Sequence, residues 1–304
     1  MALRENARTV YIISLSIVLY SLAAGFFSLR FFQIVSVSLL AGLICKLCDL
    51  LIASDRNSDF PWFMFFLLPL FSPIGVPFVA VFFSALIAFF LALKAFGGYK
   101  KHFFNPLAVA VVIMICGYYH TGTFVETLPF KNLKEGYSSV SYGVPDYRDS
   151  NLLIQKACED KTVWLKMFEP APKNFPGCAF PFVSFFSAFT LAFLFKRGRV
   201  FFFFSVLFYL FFAFLASYLR LSNVETLVFS GAFPLLLFAA IADPFSIPEK
   251  KAEQMVFAFL FAFFAAVFTI YANSSVFTFF SLLLATVFAP LLSDSILKKG
   301  YKYE

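Results

Sequence analysis

Residues 200–219 read VFFFFSVLFYLFFAFLASYL, twenty residues without a charge, with Lys196, Arg197 and Arg199 just before them and Arg220 just after. A helix rises about 1.5 Å per residue, so this run covers roughly 30 Å, the thickness of a bilayer's hydrocarbon core. The whole chain agrees with it. Of its 304 residues 61% are hydrophobic and 13% charged, and 50 are phenylalanine; a soluble domain runs nearer ~45–50% apolar and ~25% charged. In water the surplus would form an aggregating surface. With 13 Gly, 15 Pro and 5 Cys, collagen-like, disordered and disulfide-scaffold classes are excluded too. The chain reads as an all-α polytopic membrane protein.

Working outward, further spans are expected at Thr9–Leu29, Gln33–Ala53, Pro77–Leu93, Ala179–Phe195, Thr226–Ala242, Gln254–Tyr271 and Val276–Leu292. Two pieces are short: Pro61–Phe71, stopped by Ser72-Pro73, and Asn105–Tyr119, after the Gly97-Gly98 turn. Short hydrophobic pieces bounded by Pro or Gly mark broken helices in polytopic proteins. The first span is too long for the h-region of a signal peptide and reads as retained. Ten spans result.

The net charge of +7 is placed for orientation, not for nucleic acid. With the N-terminus inside, fourteen basic residues fall at inside ends, among them Arg56, Lys100, Lys101, Arg199, Lys250 and Lys251. The short outside loops hold only Arg30 and Arg220. That asymmetry puts both termini on the cytoplasmic side. Three parts follow: a first five-span half at 1–119, an extracytoplasmic loop at 120–178 and a second five-span half at 179–304. Odd-numbered halves point to an inverted repeat. Its layout pairs Asn105-Pro106 in the first half with Asp243-Pro244 in the second.

Few residues carry obvious chemistry. Cys45 and Cys48 share a helix face and so does Asp49; thiols at this spacing can hold a metal, yet no second pair exists. The simpler reading makes them small apolar helix residues, with Lys46 paired to Asp49. Cys158 and Cys178 both fall in the outside loop, as a disulfide or as two thiols. Of the two histidines, His102 lies in a basic inside turn and His120 at the outer end of a span. No metal site is expected on either. Soluble-enzyme motifs are missing. Two turns remain. In the first, Asn105 is placed to cap a helix opening with Pro106, and its helix N-terminus with three nearby lysines suits an anion. In the second, Asp243 is a carboxylate at the membrane edge, a functional candidate by default. For both, a capped helix end and a rigid turn are the plainer account.

These turns carry a resemblance. Phe96, Gly97, Gly98, Phe104, Asn105 and Pro106 are similar to the Phe-Gly-Gly…Phe-Asn-Pro pattern of the D subunit of the Rnf electron-transport complex and the related B subunit of the sodium-translocating NADH:quinone oxidoreductase. Leu67-Leu68-Pro69…Pro73 resembles that family's broken short span. Ser230, Gly231, Asp243, Pro244 and Pro248 match its second turn, and Val276-Phe277…Ala289-Pro290-Leu291-Leu292 its last span. The resemblance implies a membrane subunit of an ion-translocating electron-transport complex, moving Na⁺ or H⁺, with further membrane and peripheral subunits as partners and a bacterial inner membrane as its place. It implies a flavin, FMN or riboflavin, with Gly97, Gly98, Asn105, Ser230, Gly231 and Asp243 as its binding turns. It does not imply covalent flavin here. The family's attachment motif is missing from the outside loop, where Thr121, Thr123, Thr127 and Thr162 stand in other contexts. The family is also similar in fold to urea-transporter-like proteins, so a stand-alone solute transporter or channel is the second reading.

The topology is open to test. In a background without the native thiols, Ser139→Cys is expected to react with an impermeant maleimide from outside intact cells. Reaction only after permeabilisation would reverse the orientation.

Overall fold

A computed structural model describes residues 29–52, 60–73, 76–98, 101–102, 104–118, 177, 181–222, 224, 227, 232–271 and 278–292. The expected span Thr9–Leu29, almost all of the loop 120–178, Ser230, Gly231 and the C-terminal 293–304 lie outside them. Every described element is helical: α1 Leu29–Ile52, α2 Trp62–Leu67 continuing as a 3₁₀ turn over Leu68–Phe71, α3 Phe78–Ala88 continuing as a π turn over Phe89–Lys94, α4 Pro106–Tyr118, α5 Pro181–Leu194, α6 Lys196–Tyr218, α7 Ala232–Ala242, α8 Lys251–Tyr271 and α9 Phe280–Leu292. Four stretches are long and apolar enough to cross a membrane: Phe31–Leu51, Phe78–Phe96, Gly198–Tyr218 and Lys251–Tyr271. The other apolar helices are shorter, 10–17 residues.

One boundary differs from expectation. The helix containing residues 200–219 begins earlier, at Lys196, because Phe195 is extended and turns the chain between α5 and α6. Within the expected span Thr226–Ala242, the continuous helix described is the 11-residue α7, buried on every side. It is a half-helix.

Large apolar side chains face outward and small ones inward, the distribution suited to lipid. On α6, Phe203, Leu207, Phe211, Phe214 and Tyr218 are exposed while Ala213 and Ala216 are buried. On α1 the buried face runs Phe31, Ile34, Ser38, Ala41, Cys45 and Asp49. Cys45 therefore sits on a face of small residues that lets α2 approach closely. Phenylalanine is not confined to the lipid side. Phe65, Phe71, Phe201, Phe257, Phe261 and Phe279 are fully buried, and Phe233 links Phe261 at 5.4 Å to Tyr209, stacked at 3.8 Å.

Proline decides where the short helices stop. Pro69 has no N–H to give the Phe65 carbonyl, and that carbonyl accepts from Ser38 Oγ at 2.7 Å. Four residues on, Ser72 precedes Pro73. Its N–H bonds Pro69 O at 3.3 Å in a 3₁₀ turn, and its Oγ caps the Leu68 carbonyl at 2.8 Å. Asp243 precedes Pro244 in the same way, with its N–H on Ala240 O at 3.3 Å. Ser72-Pro73-x-x-x-Pro77 thus repeats as Asp243-Pro244-x-x-x-Pro248.

The packing follows that register. In the first half α1 packs on α2 and α3, and α3 on α4; in the second α6 packs on α7 and α8, and α8 on α9. Helices α4 and α9 meet between the halves. The ends of α2 and α7 meet the other half reciprocally. Phe71, before Ser72, lies against Phe279 at the start of α9 with ring centres 5.4 Å apart. Ala239, before Asp243, bonds through its carbonyl to Asn105 at the start of α4. The layout pairing of Asn105-Pro106 with Asp243-Pro244 is therefore replaced. Asp243 corresponds to Ser72, and Asn105 to the opening of α9.

Close approach is tightest at Gly42, where an added Cβ would lie 2.9 Å from Phe65 Cγ and 3.2 Å from its Cβ. These are root atoms of a buried ring and cannot swing aside. Gly42→Ala is expected to cost ~1–3 kcal/mol by overpacking, although Ala is the better helix former by about 1 kcal/mol. Gly117→Ala, which meets nothing within 4 Å, keeps the propensity gain. Thermal stability of the detergent-solubilised chain, followed by size-exclusion chromatography, should fall for the first and hold or rise for the second.

Candidate functional site

Helix α3 ends through a π turn, with Ala95 N–H on Phe90 O at 2.9 Å, and then reverses at two glycines. Gly97 and Gly98 hold φ of 90° and 103°. Their N–H groups close back on Lys94 O at 3.1 Å and Leu93 O at 2.9 Å, the bonding of a Schellman cap. Only glycine takes these angles without strain. The reversal carries the chain from exposed Lys101 to His102, 3% exposed.

Asn105 acts on both halves. Its Oδ1 accepts from Leu107 N–H and Ala108 N–H, each at 3.1 Å, capping α4 with Pro106 in the first helical position. Its Nδ2 donates to Ala239 O at 3.1 Å. That carbonyl has lost its helical donor because Asp243 N–H turns to Ala240 O. Removing the side chain costs about 1 kcal/mol for the cap, plus the larger penalty, ~1–3 kcal/mol, of a stranded buried carbonyl.

One bond further along the seam, His102 Nε2 lies 2.9 Å from Asp243 Oδ2, with both side chains wholly buried. Phe245 flanks the imidazole, ring centres 6.4 Å apart. Asp243 Oδ1 is buried and has no hydrogen-bond partner among the described residues. Ser246 ties the turn together, its Oγ donating to Asp243 O at 3.0 Å. Gln254, at the start of α8, donates from Nε2 to Pro248 O at 2.8 Å.

Of the residues expected at the site, Asn105 and Asp243 meet on one seam, and Gly97 and Gly98 shape the turn leading to it. Ser230 and Gly231 lie outside the described residues. Of the three lysines expected to suit an anion, Lys100 lies outside the described residues and the other two are apart in role. Lys94 forms an ion pair with Asp49 on α1, joined by Lys46 at 3.9 Å, while Lys101 is exposed. Asp49 thus has a partner beyond the expected Lys46. Among the described residues no group of three or more His, Cys, Asp and Glu could hold a metal, and Cys45, Cys48 and Cys116 are free. Nor do the seam residues fit a flavin: Asn105 and Asp243 are 0% exposed and bonded to protein partners, so a ring or phosphate would have to displace them.

His102 was not singled out from sequence as part of the site. Its partner is 141 residues away, and no local pattern announces such a pair. Ser72 was legible, because the Ser-Pro and Asp-Pro motifs share one spacing to the following proline.

No curated protein matches the chain. A family model does, described as the NQR2, RnfD, RnfE family, over residues 2–302. With its broken helices, reciprocal seams and nearly the whole length matched, the chain belongs to the NQR2, RnfD, RnfE family.

Proposed function

We propose that this chain is the ion-path subunit of a redox-driven ion-translocating complex in a bacterial inner membrane, with both termini cytoplasmic. Membership of the family over residues 2–302 carries the reading; it makes the chain a membrane subunit of an Rnf/Nqr-type complex. Electron flow in the partner subunits drives Na⁺ or H⁺ through this one. The reciprocal half-helices supply the element that moves. Each half holds one, and a small rocking of one half against the other changes both seams at once.

The centre is packed. Phe71 and Phe279, with 1% and 0% of their surface exposed, close one seam, and the His102–Asp243 couple closes the other. Such closure suits a gated subunit better than a stand-alone solute channel, which needs a polar passage. Any flavin on this chain is noncovalent, since the outside loop offers no threonine in the family's attachment context.

Affinity purification of the tagged chain in mild detergent tests the assignment. Flavin- and cluster-bearing companions are expected by mass spectrometry. A chain that purifies alone and conducts a solute passively would return it to the transporter reading. A denaturing gel of the same preparation, viewed under ultraviolet light, is expected to be dark at the chain's own mass; a band there would establish covalent flavin.

Asp243→Asn keeps the shape and a hydrogen bond to His102 but removes the charge. Complex activity is expected to fall about tenfold, the factor that ~1.5 kcal/mol of charge-assisted bonding carries. Asp55→Asn, in a hydrophilic loop, should leave activity within about twofold at equal expression, as surface substitutions do. Equal activities would make Asp243 a helix-end cap and nothing more.

A further inference from the structure

We propose that the buried His102–Asp243 couple is a proton-binding site on the seam between the halves, so that the ion handled at this turn is H⁺ and not Na⁺. The inference deepens the reading of the chain as an ion-path subunit and rests on it.

The donor set carries the argument. A hard cation needs several oxygen ligands at once. Here one carboxylate oxygen of Asp243 is already on an imidazole nitrogen, at 2.9 Å. Of the other oxygens, Asn105 Oδ1 is engaged by two amides, Asp243 O by Ser246 Oγ and Pro248 O by Gln254, so that Asp243 Oδ1, buried and without a partner among the described residues, is one ligand where a hard cation needs several. What the site offers is an imidazole and a carboxylate in contact, a pair that stores a proton. With the imidazole neutral and Asp243 ionised, the couple carries one negative charge in a wholly buried place. One proton taken from water forms an N–H bond on the imidazole and leaves the carboxylate ionised. The net charge then goes from −1 to 0, and the bond across the seam gains charge assistance. Loss of the proton reverses each change.

The surroundings do not swamp this step. Helices α2, α4, α5, α7 and α9 contain no acidic or basic residue. Charged neighbours lie on the turn, on the segment after Asp243 and at the start of α6, where Gly198 lies against Ile241 and exposed Arg199 is bonded to Phe193 O. Lys101, Glu249, Lys250 and Lys251 are exposed, Lys94 is paired with Asp49, and Glu253 lies 3.4 Å from Lys250. His102 belongs to the first half and Asp243 to the second, which makes the proton part of the contact that rocking must break.

The test uses the full chain in lipid nanodiscs with ¹⁵N-histidine. Having two histidines, it gives two ring signals, and His102→Gln or His120→Gln assigns them. His102 is expected to change charge between about pH 5 and 9, at the same midpoint in K⁺ and Na⁺ of equal ionic strength. Asp243→Asn should lower that midpoint by about a unit or more, because the carboxylate favours the imidazolium. One charge state throughout, or a midpoint that falls as Na⁺ replaces K⁺, overturns the proposal. In proteoliposomes of the whole complex, electron transfer should move H⁺ without Na⁺, and His102→Gln should slow it by about tenfold or more, as expected on losing a proton-transfer group. Na⁺-dependent transport untouched by His102→Gln overturns the inference. Absence of any redox-driven ion movement overturns the subunit reading instead, and the titration still decides the proton site.

Discussion

A peptide carbonyl that loses its donor inside a bilayer has no water to turn to. Leaving it bare costs several kcal/mol, more than any single side-chain hydrogen bond adds in water. This chain stops helices within the membrane with Pro69, Pro73 and Pro244, so it creates such carbonyls repeatedly. Three of the carbonyls at these ends take a side-chain donor. Ser38 reaches across from α1 to Phe65 O, Ser72 folds back to Leu68 O, and Asn105 reaches from the other half to Ala239 O. Three polar residues of the interior, Ser38, Ser72 and Asn105, are placed by this demand. They stand where backbone geometry demands a donor.

From that demand come the close contacts. Ser38 can reach Phe65 O because α1 shows α2 a face of Ser38, Ala41, Gly42 and Cys45, small enough for the backbones to approach. Asn105 ties the halves because α7 ends early and presents an open carbonyl to the start of α4. Phenylalanine fills what remains. Buried rings such as Phe71 on Phe279 close the seam that no polar group bridges, and rings on α6 and α8 face lipid. The high Phe content thus serves two solvents, the core and the bilayer.

Helix type and the membrane setting were legible, since residues 200–219 and their flanking cations leave few alternatives. Both short spans were legible through Ser72-Pro73 and Gly97-Gly98. At the site, Asn105 as a cap was readable from Asn-Pro. Asp243 was readable as a carboxylate at a membrane edge. Its histidine was not, because a contact over 141 residues depends on how two half-helices cross. The register of the repeat was misjudged for a related reason. Two turns of similar look, Asn105-Pro106 and Asp243-Pro244, do different jobs, opening a helix and closing one.

The two-fold layout is broken in its chemistry. Ser72 and Asp243 occupy matching turns and make the same backbone bond, yet Ser72 completes itself by bonding Leu68 O. Asp243 cannot, for a carboxylate has no proton to donate to a carbonyl. Its turn needs a donor from the other half, and Asn105 and His102 supply two, one to Ala239 O and one to the carboxylate. Because α3 runs from the Ser72 turn to the His102 turn across a membrane-spanning length, the neutral seam and the charged seam lie at its opposite ends. Opening the neutral seam parts two rings and exposes no charge. Opening the charged seam strands an acid or requires that it be neutralised first. Two turns with one backbone bond and one proline spacing thus differ in what they ask of their neighbours, through an exchange of hydroxyl for carboxylate at Ser72 and Asp243.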